Sequence, residues 1–181
     1  MTGITEGDDT APAPALRPGA ESPAPALRPG DWRLAAWRDF LRTHNHLMRL
    51  LEQDLQASGK IPLGSYDVLV QLAEAPDRRL RMSELAEAVL LSRSGLSRLV
   101  DRLQKDGLVQ REPDPLDARG MFTVLTDKGL DTLRDAAAVH LGGVVRLVTS
   151  RLDDDELRQL AGLMAKLDPT PLAAGGAGCG C

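Results

Sequence analysis

The stretch Arg81–Gly129, RMSELAEAVLLSRSGLSRLVDRLQKDGLVQREPDPLDARGMFTVLTDKG, decides how the rest of the chain is read. Two short helical patterns come first, split by a turn. Two short β-prone runs follow, Leu108–Glu112 and Met121–Leu125, joined by Pro113–Gly120 with its prolines and terminal glycine. In the second helix Ser92 is the N-cap, its hydroxyl accepting from an orphan first-turn N–H, and Gly107 is the C′ glycine. The helix therefore runs from about Ser92 to Asp106. Leu96, Leu99, Val100 and Leu103 form one apolar stripe, which packs on the helix Met82–Leu90 through Leu85, Ala86 and Val89. Helix, turn, helix and then a β-hairpin is the plan of a winged helix.

The opposite face of the second helix carries Ser94, Arg98, Asp101, Arg102 and Lys105, with Ser97 at its edge. Such a face suits a DNA major groove: arginine can bond a guanine edge in a bidentate way, and serine can reach phosphate or base. Arg93 lies nearer the apolar side, where it could lie along the DNA backbone. A solvated face of an ordinary amphipathic helix would look the same in isolation. The hairpin that follows tips the balance. Arg119 on its tip can enter a narrow minor groove, while Asp117 either pairs with it or holds the loop. The expected DNA-binding set is Ser92, Arg93, Ser94, Ser97, Arg98, Arg102, Lys105, Asp117 and Arg119.

The run DPLDARGMFTVLTDKG resembles the wing signature of the MarR (multiple antibiotic resistance regulator) family, Asp-Pro-x-Asp-x-Arg followed by Leu-Thr-x-x-Gly. Asp114, Pro115, Asp117, Arg119, Leu125, Thr126 and Gly129 stand in place, and SELAEAVLLSRSGLSRLVDRLQKDGLV is similar to that family's helix-turn-helix. The resemblance covers roughly Asp31 to Asp168. It implies a dimer with one winged lobe per subunit. It further implies repression, less often activation, relieved by a small, often phenolic or lipophilic, ligand. By that resemblance the effector sits where the first two helices and the long helix meet the winged lobe. Trp37, His44, Tyr66 and Val70 are the candidate lining, although each could equally be plain core.

Composition sets bounds. The 181 residues suit one domain, and with aromatics at 3% its core must be Leu, Val and Ala. Net charge is −4, yet Arg78–Arg119 holds nine basic and seven acidic residues. A mildly basic lobe on an acidic body fits site-specific binding without indiscriminate adhesion. No apolar run approaches the ~20 residues of a membrane span, and the N-terminus does not read as a signal peptide. A cytoplasmic protein without membrane contact is expected. Residues 1–30 read as a disordered Pro/Ala-rich arm with PAPALRPG at Pro12–Gly19 and Pro23–Gly30, and 169–181 as a flexible tail. Cys179 and Cys181 lie on that tail, too close together for a zinc site of their own. No nucleophile–base pair, phosphate loop or carboxylate constellation is legible, so neither catalysis nor a cofactor is expected. His44 and His46 lie about 200° apart around one helix, which excludes a shared metal there.

The remaining chain reads as helices. Trp37, Leu41, His44, Met48, Leu51 and Leu55 form a coiled-coil-like seam on a helix from about Asp31 to Ala57. Ser65–Ala75 is apolar nearly all round and should be buried. Thr126 caps a long helix to about Leu152, with Leu130, Leu133, Ala137, Leu141, Val144, Val148 and Leu152 inward. Asp153 and Glu156 make a capping box for a last helix carrying Leu157, Leu160, Met164 and Leu167. Gly142 and Gly143 interrupt the long helix at about 1 kcal/mol each, best explained by a close helix crossing. The expected architecture is mainly α. A DNA-binding lobe of about 61–125 has a two-stranded wing, and the helices of about 31–57 and 126–168 form a dimerisation body within a single domain 31–168. Twofold symmetry would set two recognition helices about 34 Å apart on a pseudo-palindromic duplex operator. A ligand-responsive transcriptional regulator is the reading favoured, because Arg98 and Arg119 both stand at groove-reading positions. The alternatives are a winged-helix module for protein association, or a thiol- or metal-responsive regulator of the same fold.

Overall fold

The structure, a computed structural model, describes residues 27–89, 93–115 and 117–167; the side chains of Arg93, Ala118 and Arg119 fall outside that set. The chain divides between Asp39 and Phe40 into two compact units. Helix α1 (Trp32–Ala57) begins in the first. The second holds α2 (Leu63–Glu74), β1 (Arg79–Arg81), α3 (Met82–Ala88), α4 (Arg93–Lys105), β2 (Val109–Asp114), β3 (Asp117–Leu125), α5 (Asp127–Val144) and α6 (Asp154–Leu167).

Helix α2 is the pivot of the core: Val68, Leu69 and Leu72 are fully buried. Its first N–H, at Leu63, donates to the Glu52 carboxylate at 2.6 Å, so an orphan helix donor is satisfied from α1. Leu96, Leu99, Val100 and Leu103 of α4 are all buried, as are Leu85 and Val89 opposite them. Helix α4 ends as its sequence indicates, with Gly107 at φ 72°.

The sheet is antiparallel, in the order β1-β3-β2. The expected hairpin thus gains a third strand, Arg79–Arg81, set opposite Val124–Phe122. The hairpin also runs further than expected. Pro113 lies opposite Met121 and Asp114 opposite Asp117, with an irregularity between Pro113 and Asp114. Proline is tolerated there because β2 is an edge strand. Asp114 stays in the strand because its carboxylate is buried and ion-paired to Arg81 of β1.

The Leu-Thr-x-x-Gly run joins lobe to body. Leu125 is buried, and the Thr126 hydroxyl accepts from the Gly129 N–H at 3.0 Å and donates to the Gly107 carbonyl at 2.8 Å. Gly129 passes so close to the Leu108 carbonyl that a side chain there would collide with it. Lys128 adds a bond from Nζ to the Asp106 carbonyl at 2.6 Å, so the C-terminal end of α4 is fastened to the start of α5.

Helix α5 stops at Val144, earlier than the expected Leu152, and continues as a wider π-helical turn, Val145–Thr149. Its buried line is Gly129, Leu133, Ala136, Gly143 and Leu147. Leu141, expected inward, is instead 57% exposed. Gly143 meets Leu51 and Asp54 of α1, where an added Cβ would lie 2.7 Å from Leu51 Cδ2, whereas Gly142 faces open space. A close helix crossing therefore explains one glycine of the pair. The Asp153–Glu156 capping box forms reciprocally at 3.0 and 2.9 Å. No residue of α6 is buried. Among the described residues no helix is long and apolar enough to cross a membrane.

Candidate functional site

Helix α4 is held from behind by apolar packing and presents its polar face outward. Ser94, Arg98, Arg102 and Lys105 are exposed, with Ser97 at the margin. Arg98 lies along the helix, its Nε donating to the Ser94 carbonyl at 3.3 Å. Arg102 and Lys105 make no hydrogen bond or ion pair among the described residues. Asp101, the one acid on this face, is engaged by Arg111 of β2 at 2.6 Å. That bond ties the wing strand to the helix and offsets the negative charge beside the arginines. Ser92 and the side chains of Arg93 and Arg119 lie outside the described residues, so these expectations stay as read from sequence. Asp117 is exposed at the start of β3.

Arg81 is a residue that the sequence reading passed over. Its backbone N–H donates to the Glu84 carboxylate at 2.7 Å at the start of α3, and its guanidinium pairs with buried Asp114 at the base of the wing turn. The same guanidinium lies 5.5 Å from the Phe122 ring centroid, and Arg79 lies 4.8 Å from it. One side chain thereby links the helix-turn-helix to the wing. The sequence signal was the charged pair flanking Leu80, in a run too short to read as a strand.

The expected effector lining separates. Tyr66 and Val70 of α2 line a cavity of about 360 Å³ with Asp67, Gln71, Ala88, Val89, His140 and Leu141. Trp37 is 54% exposed in the first unit. His44 is exposed on α1 and does not line this cavity. His140 stacks on Tyr66 with ring centroids 4.4 Å apart and planes 29° apart. Burial pushes the His140 imidazole below its ordinary range, with Asp67 pulling the other way. Burial pushes the Asp67 carboxyl up, and His140 partly opposes that. No cluster of His, Cys, Asp and Glu able to hold a metal occurs among the described residues.

The MarR family model matches residues 60–120, which span α2 to the wing. Sco3205 of Streptomyces coelicolor, a MarR family transcriptional regulator solved in complex with DNA, is 37% identical. The match covers 81% of this chain and 90% of that one, with a TM-score of 0.71. The chain belongs to the MarR family. AbsC, a MarR family transcriptional regulator from the same organism, is also 37% identical, over 76% of this chain and 92% of that one, with a TM-score of 0.69. The HTH-type transcriptional regulator YkoM of Bacillus subtilis is 31% identical over 86 residues. That match spans 48% of this chain and about half, 55%, of that protein. By their names these relatives are transcriptional regulators.

Proposed function

We propose that the chain is a homodimeric, sequence-specific DNA-binding regulator of transcription in the cytoplasm, a repressor released by a small aromatic or lipophilic ligand. The observation that carries this reading is the outward cationic face of α4. Arg98, Arg102 and Lys105 are exposed on a helix whose opposite face is sealed into the core, and Arg111 has engaged the one acid beside them. A helix fixed in this way can enter the major groove without reorganising its own fold, and its arginines can meet base edges and phosphates. The similarity to Sco3205, solved with DNA, supports the same use.

The dimer is supported by apolar surface that the described residues of one protomer leave uncovered: Leu160, Leu163 and Leu167 on α6, Leu141 on α5 and Val145 in the turn after it. A twofold axis through such a body would place two α4 helices about one DNA turn apart. The cavity beside Tyr66 and His140 lies between α2 of the lobe and α5 of the body, so an occupant can bias the spacing of the two reading heads. It acts only through its differential affinity for the two arrangements, and a tenfold preference is worth about 1.4 kcal/mol.

A gel-shift of the full chain on the DNA upstream of its own coding region tests this reading. The expected result is a retarded complex of two protomers per site that survives an excess of unrelated duplex. Equal competition by unrelated duplex would instead favour a winged-helix module without an operator of its own.

A further inference from the structure

The cavity beside α2 and α5 carries a charge signature. Among the described residues its lining includes one carboxylate, Asp67, and neither lysine nor arginine. Its wall is the stacked pair Tyr66 and His140. The Nδ1 atom of His140 is buried with no hydrogen-bond partner among the described residues. Protonating that ring would create a second N–H donor with nothing to receive it, at the cost of an unsatisfied buried group. With no acceptor at Nδ1 among the described residues to stabilise an imidazolium and burial pushing its titration down, His140 favours the neutral form near neutral pH. Asp67 is exposed in the lining, with no lysine or arginine among the described cavity residues to balance it.

We infer that this cavity takes a protonated aromatic amine, its ammonium set against Asp67 and its ring against the Tyr66–His140 wall, and that it discriminates against aromatic carboxylates. The inference rests on the reading of the chain as a ligand-released regulator and specifies the class of ligand. A carboxylate or phenolate entering here would bring a second negative charge next to Asp67 and find no guanidinium or ammonium among the described lining residues to pair with. An ammonium meets the Asp67 carboxylate in a charge-assisted pair, the strongest polar contact that the described lining offers it. The stacked rings offer π faces to the same cation. A cavity of about 360 Å³ has room for one ring and a short amine arm, given that a cavity of about 150 Å³ holds benzene.

Titration calorimetry of the full chain with benzylamine, benzyl alcohol and benzoate near neutral pH separates charge from shape, because the three probes share one ring. Benzylamine is expected to bind about tenfold more tightly than benzyl alcohol, with benzoate weakest. Asp67→Asn should erase the advantage of the amine while leaving benzyl alcohol unchanged, and Ala88→Trp, which fills the rim, should weaken all the probes. Benzoate binding best, an amine advantage untouched by Asp67→Asn, or binding untouched by Ala88→Trp would each overturn the inference. If none of the three binds at millimolar concentration, the ligand-released reading of this cavity falls as well, an outcome distinct from a wrong ligand class.

Discussion

Helices α4 and α6 are both amphipathic, and the protomer treats them differently. On α4, Leu96 and Val100 are 0% exposed and Leu103 is 2% exposed. On α6, Leu160, Leu163 and Leu167 are 38%, 54% and 71% exposed. The same kind of sequence pattern is satisfied within the chain in one case and left unsatisfied in the other. The position of α4 is thus fixed by its own protomer, while among the described residues no surface covers the apolar side of α6. In the proposed dimer a second copy covers it.

One truncation on α4 and a charged pair on α6 should break or confirm the contrast. Leu96→Ala is expected to cost about 2–5 kcal/mol in urea unfolding, since the side chain is fully buried and its loss leaves a cavity. Leu160→Glu with Leu163→Glu should leave the protomer folded but weaken self-association at least about tenfold by sedimentation, because each leucine is worth about 1.5–3 kcal/mol when fully covered. If the double variant stays dimeric, α6 does not serve as dimer surface.

The glycines sharpen the comparison at the join between lobe and body. Gly129→Ala should destabilise by about 1–3 kcal/mol, because the methyl runs into the Leu108 carbonyl. Gly142→Ala faces open space in the protomer and should stabilise the helix by up to about 1 kcal/mol. A destabilised Gly142→Ala dimer would show that this face is covered by the partner.

The smallest effect concerns pH. Burial holds the folded His140 below its ordinary 6.5, so the unfolded chain takes up that proton first. Its contribution is complete above pH 6.5 and is lost as pH falls towards the folded value. Asp67 acts in the opposite direction: raised above 3.8, it adds stability that is complete below 3.8 and lost as pH rises through its folded value. Chemical unfolding from pH 7.5 downwards should therefore show a small decline beginning near 6.5, absent in His140→Gln. A decline of equal size in that variant would assign it to other groups.

Much of the winged lobe was legible in the sequence because its signals are local. The α4 stripe covers about two turns, Gly107 at its end and the Thr126 cap one turn each, and the same local kind of signal gave the Asp153–Glu156 box of the body. What was not legible depends on partners far away in sequence. Strand β1 exists because Arg79–Arg81 finds β3, and Asp114 remains in its strand because Arg81 meets its carboxylate. The inward line of α5 was displaced for a physical reason. Apolar residues were counted, which selected Leu141, whereas Ala136 and Gly143 are the buried positions on either side of it, and Gly143 is the one that meets α1. Small residues mark a close approach, and a hydrophobic count passes over them. The cavity was expected beside Trp37, His44, Tyr66 and Val70; Tyr66 and Val70 line it, while its acid, Asp67, was not singled out because a lone carboxylate on an apolar helix carries no local signal.

The central claim is that the outward face of α4 reads sequence. The ratio of affinities for the chain's own upstream duplex and a scrambled duplex, measured at one salt concentration for the wild type and Arg98→Ala, tests it directly. The account predicts a strong preference in the wild type. It also predicts a loss of about 1–3 kcal/mol confined to the upstream duplex in Arg98→Ala, with scrambled-duplex binding little changed. An equal loss on both duplexes would reduce Arg98 to a phosphate contact, and a wild type without preference would contradict the account as a whole.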